Sequence, residues 1–306
     1  MAIVKTDVPM TPERNEQAIL ELVKTYPFLR TEVLTQSRYG RPVRTLTIGT
    51  GSRKVIYSAS HHANEWITTP VILKFIEEYA EALQNGGEIF GIPAREIAER
   101  ATIYTVPMVN PDGVALVTGE IGPWTPEYER AAAIGADFPA IPFPNGWKAN
   151  LAGVDLNLQY PAKWLRAREI KFSQGFTRPA PRDYVGRAPL NQPEARALAG
   201  YTEYIDPDLV LAYHSQGKEI YWTFLDYQVP GARELGERFA ELSGYTLAEP
   251  APESSFAGYK DWFIQAFRRP GFTIEVGQGQ NPLPIEQFDE IYRDNLGILV
   301  TAAMGM

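Results

Sequence analysis

The chain has 306 residues, a net charge of −8 and no cysteine. This length is enough for one large domain with a sizeable buried core. The acidic balance argues against nucleic acid or an anionic membrane as the main partner, because phosphate groups are bound by clustered lysine and arginine. Without cysteine there are no disulfides and no thiolate ligands, so any metal must be held by His, Asp or Glu.

The N-terminal segment has no apolar core of the signal-peptide type, and no run of about 18 apolar residues predicts a membrane span. We therefore expect a cytoplasmic protein, with secretion or association with the cell wall as the alternative.

The predicted elements alternate between helices and strands along the chain. A helix over 11–26 begins with Thr11 as N-cap and Pro12 in its first turn. Strands at 43–48 and 55–58 are joined by a turn, and a helix ending at Asn85-Gly86-Gly87 follows. Further along the chain we predict strands at 101–109, 209–213 and 272–276, and helices at 191–205, 231–242 and 285–302.

The segment 119–164 is rich in proline, glycine and aromatic residues and predicts a long active-site loop. We expect one domain over residues 1–306, in which residues 1–40 form an N-terminal helix and lead-in. The alternation of elements predicts an α/β fold whose sheet is covered by helices on both faces.

Polar groups follow four of the predicted strands at the point where each strand ends. They are His62 with Glu65, the Asn-Pro-Asp-Gly segment at 110–113, His214 and Glu275. In open α/β sheets the ligand crevice lies beyond the carboxyl ends of the strands. We therefore expect these residues to meet in one crevice, although they are far apart in the sequence.

The spacing H-x-x-E of His62 and Glu65 could supply two ligands of a hydrolytic zinc site from one turn. Such sites usually have three protein ligands, and His214 is the only histidine outside the adjacent pair His61–His62. The spacing alone leaves open that His214 is a capping or core histidine and that the pair simply lies in a loop. The H-E-x-x-H helix of another zinc class is absent.

Five segments, taken in order, resemble the zinc carboxypeptidases of the M14 metallopeptidase family. They are H-A-N-E-W-I-T at 62–68, V-N-P-D-G at 109–113, G-V-D-L-N at 153–157, L-V-L-A-Y-H-S at 209–215 and G-F-T-I-E at 271–275. This resemblance implies a carboxypeptidase-like α/β fold, with a mixed and mostly parallel sheet flanked by helices on both faces.

The resemblance also implies the chemistry of the site. His62, Glu65 and His214 would hold one Zn²⁺ per chain, and Glu275 would act as the general base. Asp155 resembles the carboxylate that orients the imidazole of a ligand histidine. The alternative for Glu275 is an ion pair with a nearby arginine, such as Arg268 or Arg269.

Three further residues resemble substrate-binding positions of the family. Asn157 resembles the asparagine that holds the substrate's carboxylate or backbone. Lys260 falls where the family's side-chain pocket is lined, and a cation there would favour an acidic group. Tyr259 lies near, but is displaced from, the expected place of the family's active-site tyrosine.

The chain departs from the usual family pattern at three arginines, of which the one often found in the zinc-binding motif is Asn64 here. Typical members clamp a free C-terminal carboxylate with Asn-Arg, whereas Leu158 follows the asparagine here, so Arg182 or Arg187 would have to replace the clamp. The arginine that steadies the oxyanion usually precedes the G-V-D segment, where this chain has Ala152. Lys148 is then the remaining candidate for an oxyanion donor.

The segments at 147–162, 181–184, 258–265 and 268–275 together resemble the bacterial γ-D-glutamyl-meso-diaminopimelate peptidases. The resemblance implies hydrolysis of the bond between D-Glu and diaminopimelate in peptidoglycan peptides, with the murein tripeptide as the expected substrate. Two alternatives remain at this point: a zinc amidase of small N-acyl amino acids, and a weakly active zinc-retaining binding protein. Loss of the Asn-Arg clamp favours substrates without a standard free C-terminus, but the sequence does not separate endopeptidase from carboxypeptidase action.

Overall fold

The structure is a computed structural model that describes residues 2–251 and 255–305. Its helices are α1 Pro12–Thr25, α2 Thr68–Asn85, α3 Ala94–Arg100, α4 Pro111–Val117, α5 Pro126–Ala136, α6 Trp164–Ser173, α7 Pro193–Ile205, α8 Ala232–Ser243, α9 Tyr259–Phe267 and α10 Phe288–Met304. Its strands are β1 Arg30–Gln36, β2 Pro42–Gly49, β3 Arg53–Ala59, β4 Glu88–Ile89, β5 Ile92–Pro93, β6 Ala101–Val106, β7 Leu209–His214, β8 Glu219–Tyr221, β9 Thr246–Ala248 and β10 Gly271–Glu275. Within the ranges described, no helix has the length and apolar character needed to cross a bilayer.

Eight strands form the main sheet in the order β1-β2-β6-β3-β7-β10-β8-β9. The central strands β6, β3, β7 and β10 run parallel, and so do β8 and β9, while β1–β2, β2–β6 and β10–β8 are antiparallel. The predicted mixed, mostly parallel sheet is therefore confirmed.

Strand β7 shows why the sheet is covered on both faces. Its side chains alternate, so that Leu209, Leu211 and Tyr213 join one apolar core while Val210 and Ala212 join another. The first core packs against α1, α2, α3, α8 and α10, and the second against α7 and α9. A strand that is buried on both faces reads as a continuous apolar run, which is the pattern of this segment.

Several predicted element ends agree with local hydrogen bonding. The hydroxyl of Thr11 accepts from the backbone N–H of Arg14, which caps α1 as predicted. Gly86 adopts a left-handed conformation, with φ of 67°, and ends α2.

Two expectations about the organisation were incomplete. The segment 119–164 is not one loop, because α5 lies within it, capped by the hydroxyl of Thr125 that accepts from Tyr128 N–H. Strands β2 and β3 follow each other in sequence but are not neighbours in the sheet, because β6 lies between them. Both features depend on packing partners that are distant in the chain.

Candidate metal centre and active site

The carboxyl ends of β3, β7 and β10 lie side by side and form the floor of the site. In the sheet register, Ala59 pairs with Tyr213, and His214 pairs with Glu275. The chain beyond β3 turns through a short 3₁₀ helix, Ala63–Glu65, which brings His62 and Glu65 over these strand ends. The predicted meeting of His62, Glu65, His214 and Glu275 beyond the strands agrees with this geometry. Asp112 of the predicted 110–113 segment instead accepts hydrogen bonds from Ser37, Tyr39 and Arg41.

His62, Glu65 and His214 direct their donor atoms to one point. The Nδ1 atoms of the two imidazoles are 3.2 Å apart. Each lies 2.9 Å from a carboxylate oxygen of Glu65, Oε1 for His62 and Oε2 for His214. Ligands of tetrahedral zinc, at bond lengths near 2.0–2.1 Å, are separated by about 3.3 Å. The two nitrogens and the carboxylate therefore fit a zinc ion by donor type and by spacing.

The charges around His62 also favour a cation. Burial disfavours protonation of this imidazole, yet the carboxylates of Glu65 and Asp155 outweigh burial and raise the pKa of His62 to about 9. A site that attracts a proton this strongly has a negative electrostatic potential, which would also stabilise a bound divalent cation.

Asp155 orients the imidazole of His62 from the side opposite the metal point. Its Oδ1 lies 3.2 Å from His62 Nε2, and its Oδ2 accepts from the backbone N–H of Asp183 at 3.1 Å. Although burial acts against ionisation, His62 and this backbone donor hold the pKa of Asp155 well below its usual range. The carboxylate thus stays charged and fixes which ring nitrogen of His62 faces the metal point.

His61, the neighbouring histidine, packs behind the site. It is fully buried, and its ring stacks on His214 and on Tyr259, with centroid distances of 5.6 Å in both cases. Its Nε2 lies 3.1 Å from the hydroxyl of Tyr160. Burial, together with the two neighbouring histidines, lowers the pKa of His61 far below the usual value. The ring is therefore uncharged and packs against the imidazole of His214.

Glu275 lies at the end of β10 beside the metal point and is not engaged by the arginines near it in sequence. Arg269 donates to Asp206, and Arg268 lies over the ring of Tyr227. Burial, reinforced by the charge of Glu65, raises the pKa of Glu275 to about 8. A carboxylate that binds a proton this readily can accept and return one near neutral pH.

Lys148 reaches the same centre from the loop before Asp155. Its Nζ donates to Glu65 Oε1 at 2.8 Å. Its backbone is held on both sides, by Ala63 N–H and by the carbonyl of Pro181. Burial alone would lower the pKa of Lys148, but the carboxylate of Glu65 raises it, so the ammonium stays charged.

Two cavities meet at this centre. The first, of about 170 Å³, is lined by Asn157, Leu158, Lys171, Lys260 and Thr273 among others. The second, of about 470 Å³, is lined largely by amides and loop residues, including Asn64, Asn145, Gln216, Gln280 and Asn281. Lys148, Arg182, Tyr221 and Glu275 line both cavities, so the cleft continues on either side of Glu275.

The structure brings some of the predicted substrate residues to this cleft and leaves others outside it. Asn157, Lys260 and Arg182 line the first cavity. Tyr259 also lines this cavity, but its hydroxyl bonds to Thr202 at 2.8 Å and the residue is fully buried, so the hydroxyl does not face a substrate. Arg187 is exposed and lines neither cavity, which corrects the expectation that it could reach the crevice.

Tyr221 is a cleft residue that the sequence reasoning missed. It lies on β8, opposite Thr273 of β10, and so presents its side chain on the face that carries Glu275. Its hydroxyl donates to Glu219. No motif surrounds Tyr221, and only the antiparallel pairing of β8 with β10 places it in the site.

The comparisons with known proteins agree with this geometry. The family model described as zinc carboxypeptidase matches residues 16–297. The chain belongs to the zinc carboxypeptidase family. A relative from Lysinibacillus sphaericus, gamma-D-glutamyl-L-diamino acid endopeptidase 1, is 46% identical over 92% of this chain and 69% of its own length.

Solved structures of the family share the fold. Carboxypeptidase A from Helicoverpa armigera superposes with a TM-score of 0.73 at 17% identity, over 98% of this chain and 75% of the other. Murein-tripeptide amidase MpaA from Escherichia coli O157 gives a TM-score of 0.56 at 20% identity, over 88% of this chain and 91% of the other. Family membership makes this chain a zinc metallopeptidase, with His62, Glu65 and His214 as its candidate metal site.

Proposed function

We propose that this zinc metallopeptidase hydrolyses the amide bond between γ-linked D-glutamate and a diamino acid, meso-diaminopimelate, in peptidoglycan peptides. The observation that carries the proposal is the high identity to a γ-D-glutamyl-L-diamino acid endopeptidase across nearly the whole chain. The murein-tripeptide amidase among the fold relatives is consistent with the same substrate class, although that likeness concerns the fold alone.

We assign His62, Glu65 and His214 as the residues that hold the metal. A zinc ion there would supply Lewis-acid chemistry, polarising the scissile carbonyl and lowering the pKa of water to about 7. Asp155 holds His62 in the required orientation through the contact at 3.2 Å. Glu275 takes a proton at its carboxylate from the attacking water and returns it to the departing amine of the diamino acid.

The residues that bind the two halves of the substrate follow from the two cavities. The first cavity, which contains Asn157 and Lys260, would receive the diamino acid, whose side chain carries a second carboxylate. The second cavity would receive the glutamyl side. Because the cleft is open on both sides of Glu275, we expect a residue attached beyond the diamino acid to be tolerated, which is endopeptidase action.

The test is incubation of the zinc-loaded protein with L-Ala-γ-D-Glu-meso-diaminopimelate, with products identified by mass spectrometry. We expect L-Ala-D-Glu and free diaminopimelate. Glu275→Gln should lower kcat by about 10²–10⁴-fold, the usual contribution of a general base, with the zinc content unchanged. Glu203→Gln, on the exposed side of α7, is the matched control and should keep full activity.

Two outcomes would reject the proposal. Cleavage of small N-acyl amino acids with no cleavage of the tripeptide would indicate an amidase instead. Stoichiometric zinc with no turnover of either substrate would indicate a binding protein.

A further inference from the structure

The wall shared by the two cavities carries two cations, Lys148 and Arg182. A third and a fourth, Lys171 and Lys260, line only the first cavity. Because the proposed substrate carries several carboxylates, the question is which of these cations is available to bind one.

Three of the four are committed to partners within the protein. The ammonium of Lys148 lies 2.8 Å from Glu65 Oε1. Lys171 lies 2.7 Å from Asp183 Oδ1, and Lys260 lies 2.7 Å from Asp261 Oδ1. A lysine ammonium offers a single charge centre, which these carboxylates already partly neutralise.

Arg182 differs because its internal partner occupies only one edge of the guanidinium. Its Nε donates to Asp183 Oδ2 at 2.7 Å, and its side chain keeps 42% of its surface exposed. Among residues 2–251 and 255–305, no acceptor is hydrogen-bonded to its two terminal nitrogens. These nitrogens form the planar fork that binds a carboxylate through two parallel hydrogen bonds.

The position of this fork is fixed relative to the metal centre. Asp183 holds Arg182 with one oxygen and Lys171 with the other, and its backbone N–H donates to Asp155 Oδ2 at 3.1 Å. Asp155 in turn contacts the metal-site imidazole of His62. The guanidinium is therefore preorganised beside the bond to be cleaved, which reduces the entropy lost on binding.

The γ-linkage explains why a cation is needed on the acyl side. When glutamate is joined through its side-chain carboxyl, its α-carboxylate remains free a few bonds from the scissile amide. An ordinary α-peptide has no charge at that place. The second cavity, whose lining includes several amide side chains, has no cation among its described lining residues other than Lys148 and Arg182.

We propose that the guanidinium of Arg182 binds the free α-carboxylate of the γ-linked D-glutamyl residue and so selects γ-linked substrates. This inference rests on the proposed function of the site. It adds the residue that determines which acyl group the enzyme accepts. It places the glutamyl residue at Arg182, while the diamino acid lies in the first cavity.

The experiment compares kcat/KM for three peptides. The first is L-Ala-γ-D-Glu-meso-diaminopimelate. The second carries D-isoglutamine, in which the α-carboxylate is a neutral carboxamide. The third keeps D-glutamate but has the α-carboxylate of the diaminopimelate converted to the amide. Each is measured with the wild type, Arg182→Gln, Arg182→Lys and the control Arg187→Gln, whose arginine lies outside both cavities.

We expect the wild type to favour D-glutamate over D-isoglutamine by about 10- to 100-fold, the range for a hydrogen bond to a charged group. Arg182→Gln should lose this preference by cleaving the D-glutamate peptide more slowly, while its ratio of kcat/KM for the first and third peptides stays as in the wild type. Arg182→Lys should keep part of the preference, and Arg187→Gln all of it.

Two results would overturn the assignment. One is an unchanged preference for D-glutamate in both Arg182 variants, with zinc content and folding as in the wild type. The other is a change in the Arg182 variants of only the kcat/KM ratio between the first and third peptides, which would place the bound carboxylate on the diamino acid. Failure of the wild type to cleave any of the peptides would instead refute the proposed function, and the inference with it.

Discussion

At the scale of single residues, Lys148 answers a question that the sequence left open. The arginine that steadies the oxyanion was expected near Ala152, and its absence suggested low activity. In the structure the ammonium group of Lys148, four residues before Ala152, lies at the metal centre. Lys148 also lines both cavities. A fixed cation beside the metal point is suited to stabilising negative charge that develops on the scissile carbonyl.

This role predicts a specific kinetic effect. Lys148→Met should lower kcat by about 10²–10³-fold with little change in KM, because the interaction forms mainly in the transition state. Lys148→Arg should recover part of the rate, since it restores the charge. Steady-state kinetics on the tripeptide measure both, after metal analysis has confirmed full zinc content. A raised KM with unchanged kcat would show that Lys148 binds the ground state instead.

At the scale of secondary structure, α4 packs closely against the metal-site turn. Gly113 in α4 has no room for a side chain. A Cβ atom there would lie 2.5 Å from the carbonyl oxygen of Ala149 and 2.7 Å from the Cβ of Ala63. Ala63 begins the short 3₁₀ helix that ends at Glu65, so any shift of α4 is passed directly to a metal-site carboxylate.

We therefore expect Gly113→Ala to lower the free energy of unfolding by about 1–3 kcal/mol, the usual cost of overpacking, and to weaken zinc retention. Gly200→Ala is the matched control, because Gly200 is an exposed position of α7 with open space around the added atom. It should stabilise the protein by about 0.5–1 kcal/mol through helix propensity, with zinc retention unchanged. Chemical denaturation and chelator competition provide the two measurements, and equal effects of both substitutions would contradict the prediction.

The same scale shows what could be predicted from the sequence. Elements with strong local signals were correct within a few residues, such as α1 with its Thr11–Pro12 start and the apolar strand β7. The elements that were not predicted are helices α3, α4, α5, α6 and α9 and strands β1, β4, β5, β8 and β9. They are short or weakly patterned, or lie beside the motifs, and their structure depends on tertiary partners.

In the candidate site, too, some residues could be predicted from the sequence and others could not. His62, Glu65, His214 and Glu275 were predicted because each lies in a recognisable segment after a strand, and Asp155 because it lies in the G-V-D-L-N segment. Three features could not be predicted, because each depends on how distant segments pair. They are the presence of Tyr221 in the cleft, the contact of Lys148 with Glu65, and the fact that Arg182 lines the cleft while Arg187 does not. The motif segments point to the candidate metal ligands, whereas the cleft around them is a property of the assembled sheet.

At the scale of the whole molecule, one buried carboxyl links α7 to the turn between β1 and β2. Glu194 is fully buried, and its Oε1 accepts from the backbone N–H of Arg38 at 3.4 Å. Burial is the largest cause that raises the pKa of Glu194 to about 7, and the nearby carboxylate of Asp112 adds to it. The folded chain therefore keeps a proton on Glu194 at pH values where the unfolded chain, with a pKa of 4.5, has lost it.

This difference predicts the direction of a pH effect. Between pH 4.5 and about 7 the folded state binds more protons at Glu194 than the unfolded state, so its contribution to stability falls as the pH rises. Glu194→Gln should thus gain stability relative to the wild type by about 3 kcal/mol between pH 4 and pH 8. Urea unfolding at both pH values tests this. Glu203→Gln, exposed on the same helix, should show no such change, and a variant of Glu194 with a pH-independent difference would refute the assignment.

The placement of the two metal-site imidazoles has a consequence for heating the protein. One follows β3 and the other ends β7, and these strands are hydrogen-bonded neighbours at the middle of the sheet. Their separation is set by the ladder together with the short turn that follows β3 at 60–62. Local opening at the edges, near β1 or β9, leaves that spacing intact, so we expect the ion to be retained through partial melting and lost only when the central ladder separates.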